Sequence, residues 1–566
     1  MVSEKSRNNK KRLGFIIDCS VFVLFAILSV IYIFPLFRTG HVYYGDDIPY
    51  HLNRINELVQ DIHHGNWYPF FYSFNFDKIN FPMGLFYPQV TLIPFALFVI
   101  ITGSYVKGIY CALGVLMFVA LGSSYIVGRK FWHQRVPAFF VAIIYSFGLY
   151  FSINMITRAD YGEACAMAFL PLALYGFYAV LRGEWQDWPY LGFGLAAIML
   201  SHVLSTYITV LFMMAVFIGT IWFLDNKKAR IIAGIKAALA FGAAAAIFIG
   251  PFLIQEHFQR FNQPSPIPLE TAPTFDQIFT AMLHNSIARV VAGNVYTVGF
   301  VGLVIIICGF IFYRLLNETD RFCLITGTLL VLCTSTIMPL ELLDKTFVGV
   351  IQFAFRGLGI ASFLLAVVGG KLAWLFVKQH HVPSGRFFRP LLLFILVLAP
   401  WWATIRSFRQ TGQQIANNNL IQPQWYLDQY MPAKSMTSFN DIQNHVAIIN
   451  GHKKALDVNK NIHSVPNGLI YSGSVFTNAH TVDLPVPVYQ NERVRVNGKI
   501  TAYHVSRRNT VKLTGIRMTA NTRIKVYYQP SIFDYCAMII SLITWLGGAS
   551  LLVIKKISWH KKNRIV

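Results

Sequence analysis

The stretch Leu85–Gly103, LFYPQVTLIPFALFVIITG, decides how the rest of the chain is arranged. It is apolar and, by length alone, sufficient to cross a bilayer. If it crosses, the basic clusters GRKFWHQR (Gly128–Arg135), DNKKAR (Asp225–Arg230) and KKISWHKKNR (Lys555–Arg564) all fall on the outer side. If it does not cross, all three fall inside, where short loops carry their excess of Lys and Arg. The charge rule therefore predicts that residues 85–103 form an outer juxtamembrane or re-entrant helix, starting at Pro88.

Composition sets the class. The 566-residue chain is 55% hydrophobic and 13% charged, with a mean hydropathy of +0.50. Soluble domains carry about 25% charged residues. Repeated long apolar runs identify a polytopic α-helical membrane protein. The net charge of +23 sits largely in clusters beside those runs, so it marks topology, and no nucleic-acid partner is expected. The seven cysteines all lie in apolar segments without metal-ligand spacing, and no disulfide framework is expected. The basic tail Met1–Arg12 followed by an apolar run reads as an uncleaved first span.

About twelve spans follow from this reading: 14–34, 107–127, 137–156, 164–181, 188–205, 206–224, 231–253, 294–313, 322–339, 354–377, 389–404 and 532–554. Both termini are then cytoplasmic. Residues 1–404 form the membrane core, with outer loops at 35–106, 157–163 and 254–293. The last of these contains the Pro-rich QPSPIPLETAPTF, a loop over a site rather than helix. Residues 405–530 hold fifteen Lys/Arg against five Asp/Glu and contain the alternating runs VRVNGKITAYHV and TRIKVYYQ. They read as a small, basic, mostly-β extracytoplasmic domain, with Asn497-Gly498 as a hairpin turn. Residues 531–566 supply the last span and a basic tail.

Acidic residues are few, so their placement is informative. The first outer loop carries GDDIPYHLNRINE (Gly45–Glu57). If Asp47 begins a helix, Asp47, His51 and Arg54 share a face. Ile48, Leu52, Ile55, Val59 and Ile62 form a neighbouring apolar face, as in an amphipathic helix at a membrane surface. The plain alternative is a solvated loop. The second loop carries RADYGEA (Arg158–Ala164). Asp46 and Asp47, with Asp160 and Glu163, form two acidic pairs on one side. Such carboxylates serve as a general base or hold a divalent cation, magnesium or manganese. No other cofactor motif is present. Arg356, at the outer end of an apolar span, is a candidate lipid-phosphate contact, against simple snorkelling. His202 and Arg158 are candidates for the same cavity, against ordinary bundle packing. Lys371 reads as a snorkelling residue near the cytoplasmic end.

In order and sidedness these motifs resemble the GT-C superfamily of membrane glycosyltransferases. GDDIPYHLNRI followed by NFPMGLFYP is similar to the first-loop region of the oligosaccharyltransferase catalytic subunit, and RADYGEA is similar to its second acidic motif. The first 360 or so residues resemble a bacterial membrane family labelled "6-pyruvoyl-tetrahydropterin synthase-related", although no histidine zinc site of a pterin synthase is visible. The C-terminal part resembles YfhO-like membrane proteins. The resemblance implies a GT-C-like fold and an inverting transfer of sugar from a polyprenyl-phosphate donor to a cell-envelope glycan acceptor on the outer face. It implies Asp47 (or Asp46) as base, His51, Arg54 and His202 in support, Arg356 and Arg158 on the lipid phosphate, and Asp160 and Glu163 near a metal. The rival readings are a lipid-linked glycan transporter or flippase, which would want polar residues through the bundle, and a non-catalytic cell-envelope assembly protein.

Overall fold

In a bilayer every backbone polar group must be satisfied within its own segment, so the apolar runs fold as helices. The computed structural model describes residues 2–263, 272–287, 295–378, 385–422 and 428–562. Most of the Pro-rich stretch 263–275 lies outside the described residues. Among the described residues, seven helices are long and apolar enough to cross a membrane: Arg12–Phe37, Tyr105–Trp132, Tyr161–Leu181, Val203–Phe223, Ala354–Lys378, Phe388–Thr411 and Ile532–Ser550. Two bent pairs raise the number to nine: Arg135–Ser146 with Leu149–Thr157, bent by 44°, and Lys227–Ala244 with Ala246–Phe258, bent by 75°.

Twelve spans were expected. The other three are the helices Trp188–Met199, Gly299–Ile311 and Glu318–Leu332, of 12, 13 and 15 residues. At 1.5 Å per residue they reach roughly 18–23 Å, short of a hydrocarbon core of about 30 Å. The first is cut short by Leu200–His202. His202 is extended, with φ −156°, and caps the helix that follows.

The Leu85–Gly103 stretch is not one helix. Its helix runs Ile93–Thr102, with a Pro in the first turn and Gly103 left-handed at φ 61°. Ten residues span only about 15 Å, so the helix is too short to cross. It packs against the Tyr105–Trp132 helix at Gly108, where an added Cβ would lie 2.5 Å from the Val99 nitrogen.

The basic clusters are partly neutralised. Arg135 Nε lies 2.9 Å from Asp18, Lys130 Nζ lies 2.9 Å from Asp187, and Arg230 Nη2 lies 2.9 Å from Asp225. Lys371 does not simply snorkel: its Nζ is 4.0 Å from the buried Asp320 carboxylate. An intramembrane cation with an acid in reach is held by that acid instead.

The β module is a sandwich of two five-stranded antiparallel sheets. One runs, across the sheet, His504–Val505, Thr510–Thr514, Thr481–Pro487, Val446–Ile449, His452–Ala455. The other runs Ile462–Val465, Gly468–Ser472, Arg523–Tyr528, Glu492–Val496, Lys499–Ile500. Leu469, Val482, Leu484, Val494, Leu513 and Val526 fill the space between them. Asn497 (φ 48°) and Gly498 (φ 83°) make the expected two-residue turn. Left-handed φ at both positions is why Asn-Gly serves there.

This module rests on the first loop. Asn467 Oδ1 accepts from the Phe70 and Phe71 nitrogens at 2.7 and 3.0 Å, and the Tyr489 and Tyr528 rings pack on Phe71. The consequence for Ile48–His63 is large. That helix was expected to lie at a surface, but His51, Asn53, Arg54, Glu57 and Asp61 on its polar side are all buried. Loop and sandwich cover the face that amphipathicity assigned to solvent. Glu57 repairs its own burial by accepting from the backbone nitrogens of Ser73, Phe74 and Asn75 and from Asn75 Nδ2, at 2.5–3.0 Å. Burial pushes its carboxyl up to about 7. Burial, together with Glu57, pushes Asp61 up to about 9.

Candidate functional site

The two acidic motifs meet backbone to backbone. The Val42–Tyr43 strand pairs with Gln414–Ile415 and delivers the chain to Gly45. There the Asp46 nitrogen donates to Thr157 O (3.2 Å) and the Asp47 nitrogen to Arg158 O (2.8 Å). This approach needs a glycine before the acids, because a Cβ on Gly45 would sit 2.5 Å from Thr157 O. Gly45→Ala should therefore push the motifs apart and destabilise the protein by about 1–3 kcal/mol. A thermal midpoint equal to wild type would contradict this.

On the other side, a π-helical turn, Ile153–Thr157, ends at Arg158. The chain then turns through Ala159, left-handed at φ 51°, so that Arg158 and Asp160 both reach inward. Asp160 caps the Tyr161–Leu181 helix, accepting from the Glu163 nitrogen at 2.9 Å.

Arg158 is the hub. Its Nη1 donates to Asn154 Oδ1 (2.6 Å) and Glu163 Oε2 (2.7 Å), and its Nη2 to Asp160 Oδ2 (3.1 Å). Asp47 Oδ2 lies 3.7 Å from the same Nη2. The Phe355 ring centroid is 5.0 Å from the guanidinium carbon. Glu163 also accepts from Tyr150 Oη at 2.6 Å. Glu163 and Asp160 side chains are each 4% exposed, whereas that of Asp47 is 41% exposed.

Asp47 is thus the open member of the group. Restricted hydration, followed by the negative charge of Asp160, pushes its carboxyl up to about 6, although Arg158 and Arg356 oppose the shift. Asp160 behaves in the opposite way. Burial raises it, but His202, His51 and Arg158 together hold it well below the usual carboxylate range. Burial lowers His51, and it lowers His202 to about 4, despite the nearby carboxylate.

The candidate residues gather at one end of the bundle, but with different partners from those expected. His51 Nε2 faces Asp160 Oδ1 at 3.5 Å rather than Asp47. Arg54 turns away from Asp47. It donates to Pro88 O at 2.6 Å and stacks 4.0 Å above the Tyr87 ring, fixing the stretch before the short helix. His202 Nδ1 accepts from the Ser205 nitrogen at 3.3 Å and lies 2.8 Å from Ser205 Oγ, capping the helix that begins at Val203. Arg356 does not snorkel outward. Its Nη1 donates to Gln352 Oε1 (3.0 Å), and its Nε lies 3.8 Å from Glu163 Oε2 with no hydrogen-bond partner. It lines a cavity with Glu163, Met167, Ser205 and Thr209 whose free space is about 20 Å³, enough for one water.

Sequence reasoning missed Tyr150, Asn154 and Tyr296. The first two precede Arg158 at intervals of four, one helix face, so that signal was readable. Tyr296, whose Oη donates to Asp46 Oδ2 at 2.5 Å, is 250 residues away and left none.

Asp160 and Glu163, the candidate cation ligands, do not fit a metal as arranged. Arg158 occupies both, and Tyr150 and a backbone nitrogen take further lone pairs. Among the described residues, no group of three or more His, Cys, Asp or Glu is placed to hold a metal ion.

No protein-family model matches the chain, and no curated protein matches it. Similar solved structures include the arabinofuranosyltransferase AftD from Mycobacteria, at 11% identity over 77% of this chain and TM-score 0.42. This chain spans only 30% of the AftD length. ArnT from Cupriavidus metallidurans bound to undecaprenyl phosphate is 13% identical over 65% of this chain and 84% of its own, with TM-score 0.29. Apo ArnT is 12% identical over 71% and 89%, with TM-score 0.26. Likeness at this level carries no argument about activity.

Proposed function

We propose that the chain is a membrane glycosyltransferase that moves a sugar from a polyprenyl-phosphate donor to a cell-envelope glycan or polymer. The site and the β module face away from the cytoplasm, and both termini are cytoplasmic. The observation that carries this reading is Asp47: a half-exposed carboxylate of raised pKa, beside two arginines, at the membrane end of a helical bundle.

The chemistry balances without a cofactor. The acceptor hydroxyl oxygen attacks the anomeric carbon as the bond from that carbon to the phosphate oxygen breaks. A single displacement of this kind inverts the anomeric centre. The hydroxyl proton passes to Asp47, and the electron pair leaves on the polyprenyl phosphate. Arg356, whose Nε makes no hydrogen bond and lies 3.8 Å from Glu163, is the phosphate contact in this reading. Arg158, given that role from the sequence, donates to Asn154, Glu163 and Asp160 and acts by holding the two carboxylates in place. No step is routed through a metal.

The test is a pH profile of transfer by membranes containing the protein, supplied with polyprenyl-phosphate sugars. A base must be ionised to accept a proton. A pKa near 6 therefore gives kcat/KM that is full above about pH 7 and falls tenfold per unit below about pH 6. A profile flat from pH 5 to 8 would remove Asp47 from the mechanism.

A further inference from the structure

The second sheet of the β module has an outward face of unusual charge. Its register places His463, Ile470, Lys525, Arg495 and Ile500 in one row across five strands. The next row on the same face contains Tyr527 and Arg493, and Arg523 lies two residues before Lys525. Alternate rows, such as Leu469, Val526 and Val494, point into the core. Arg493, Arg495 and Arg523 are exposed, while Lys525 and Tyr527 are half-buried.

No Asp or Glu stands in these outward rows. Among the described residues, none of the four cations has a carboxylate within 4.0 Å. Elsewhere in the module some cations are paired: Lys453 with Asp441 at 2.8 Å, Lys460 with Asp457 at 3.6 Å, and Arg508 with Asp483 at 3.1 Å. Lys525 and Arg495 stand directly opposite one another, and like charges in that position destabilise a sheet. Tyr527 is set between them: Arg495 Nε donates to its Oη at 3.1 Å, and Lys525 Nζ is 4.9 Å from its ring centroid. Residues two apart on a strand lie roughly 7 Å apart and strands about 4.8 Å apart. The face is therefore a two-dimensional array of cations around an aromatic ring.

We infer that this face binds a linear polymer of phosphodiester-linked units. The guanidinium forks match phosphate oxygens bidentately, and lysine adds a point charge. The ring and Ile470 and Ile500 supply apolar contact for the neutral units between phosphates. The inference stands on the sheet alone and does not require that the membrane site transfer sugar.

The test uses the full-length protein in detergent micelles and the anisotropy of fluorescently labelled poly(glycerol phosphate). Wild type should bind it in a salt-dependent manner, and more tightly than neutral dextran or polygalacturonate. Arg495→Gln with Lys525→Gln should weaken binding on the order of tenfold, with Arg523→Gln alone acting in the same direction. Lys454→Gln with Lys460→Gln removes equal charge from elsewhere on the module and should leave affinity unchanged. Equal loss in that control, unchanged binding by the double variant with native elution and thermal midpoint, or equal binding of either comparison polymer would overturn the inference.

Discussion

Asp47→Asn should lose transfer by about 10²–10⁴-fold, the range a positioned general base contributes, while the folded protein is unharmed. Both halves follow from geometry. Asp47 makes one side-chain ion contact, 3.7 Å from Arg158, and that arginine has three closer partners. The amide replaces a carboxylate whose charged form is disfavoured by restricted hydration and by the negative charge of Asp160, so stability should hold or rise slightly. The measurement is the initial rate of sugar transfer from polyprenyl-phosphate donors in membranes of matched protein content, with the thermal midpoint followed in parallel. A variant that transfers at the wild-type rate would leave the group as a structural cluster. A variant that loses rate and midpoint together would assign the loss to unfolding.

Arg158→Met should have the reverse signature, a folding defect first and an activity defect as its consequence. The substitution takes the hydrogen-bonded guanidinium from Asp160 and Glu163, each 4% exposed, and leaves Glu163 with Arg356 at 3.8 Å. Breaking a buried ion pair from one side costs about 3–5 kcal/mol, because the remaining charge is uncompensated. Lysine should not rescue it, since a single ammonium cannot reproduce a fork spread over Asn154, Glu163 and Asp160. Purified protein in detergent reports this as a lowered midpoint of thermal aggregation for both Arg158→Met and Arg158→Lys, with Asp47→Asn as the comparison. A midpoint within error of wild type for Arg158→Met would show that the hub is dispensable.

These two residues also show what could and could not be read from the chain. The place of Asp47 at the start of a helix was legible because acids are scarce in an apolar sequence, and one just before Pro49 stands out. The role of Arg158 was not. A lone arginine beside an acid suggests a phosphate contact or a local pair. Only the π-helical turn and the left-handed Ala159 aim its fork at three partners. The same applies to His51 and Arg54. Helical spacing correctly placed them on the face of Asp47, but spacing says nothing of what stands opposite. Asp160 and the Tyr87–Pro88 backbone capture them.

The sequence by itself determined the class of the protein. Long apolar runs in a bilayer have helices as their solution, and alternating runs around Asn-Gly make hairpins. These are local consequences of backbone hydrogen bonding and side-chain period, and they need no partner. Tertiary structure decided the rest. It buried the polar face of Ile48–His63 under a loop and a sandwich from the far end of the chain. It brought Gly45–Asp47 against Thr157–Arg158 through backbone bonds, and turned Arg356 inward to Glu163. Each of those outcomes depends on contacts between residues tens to hundreds of positions apart, set by packing and by the need to satisfy buried charge, and neither leaves a periodic mark in the sequence.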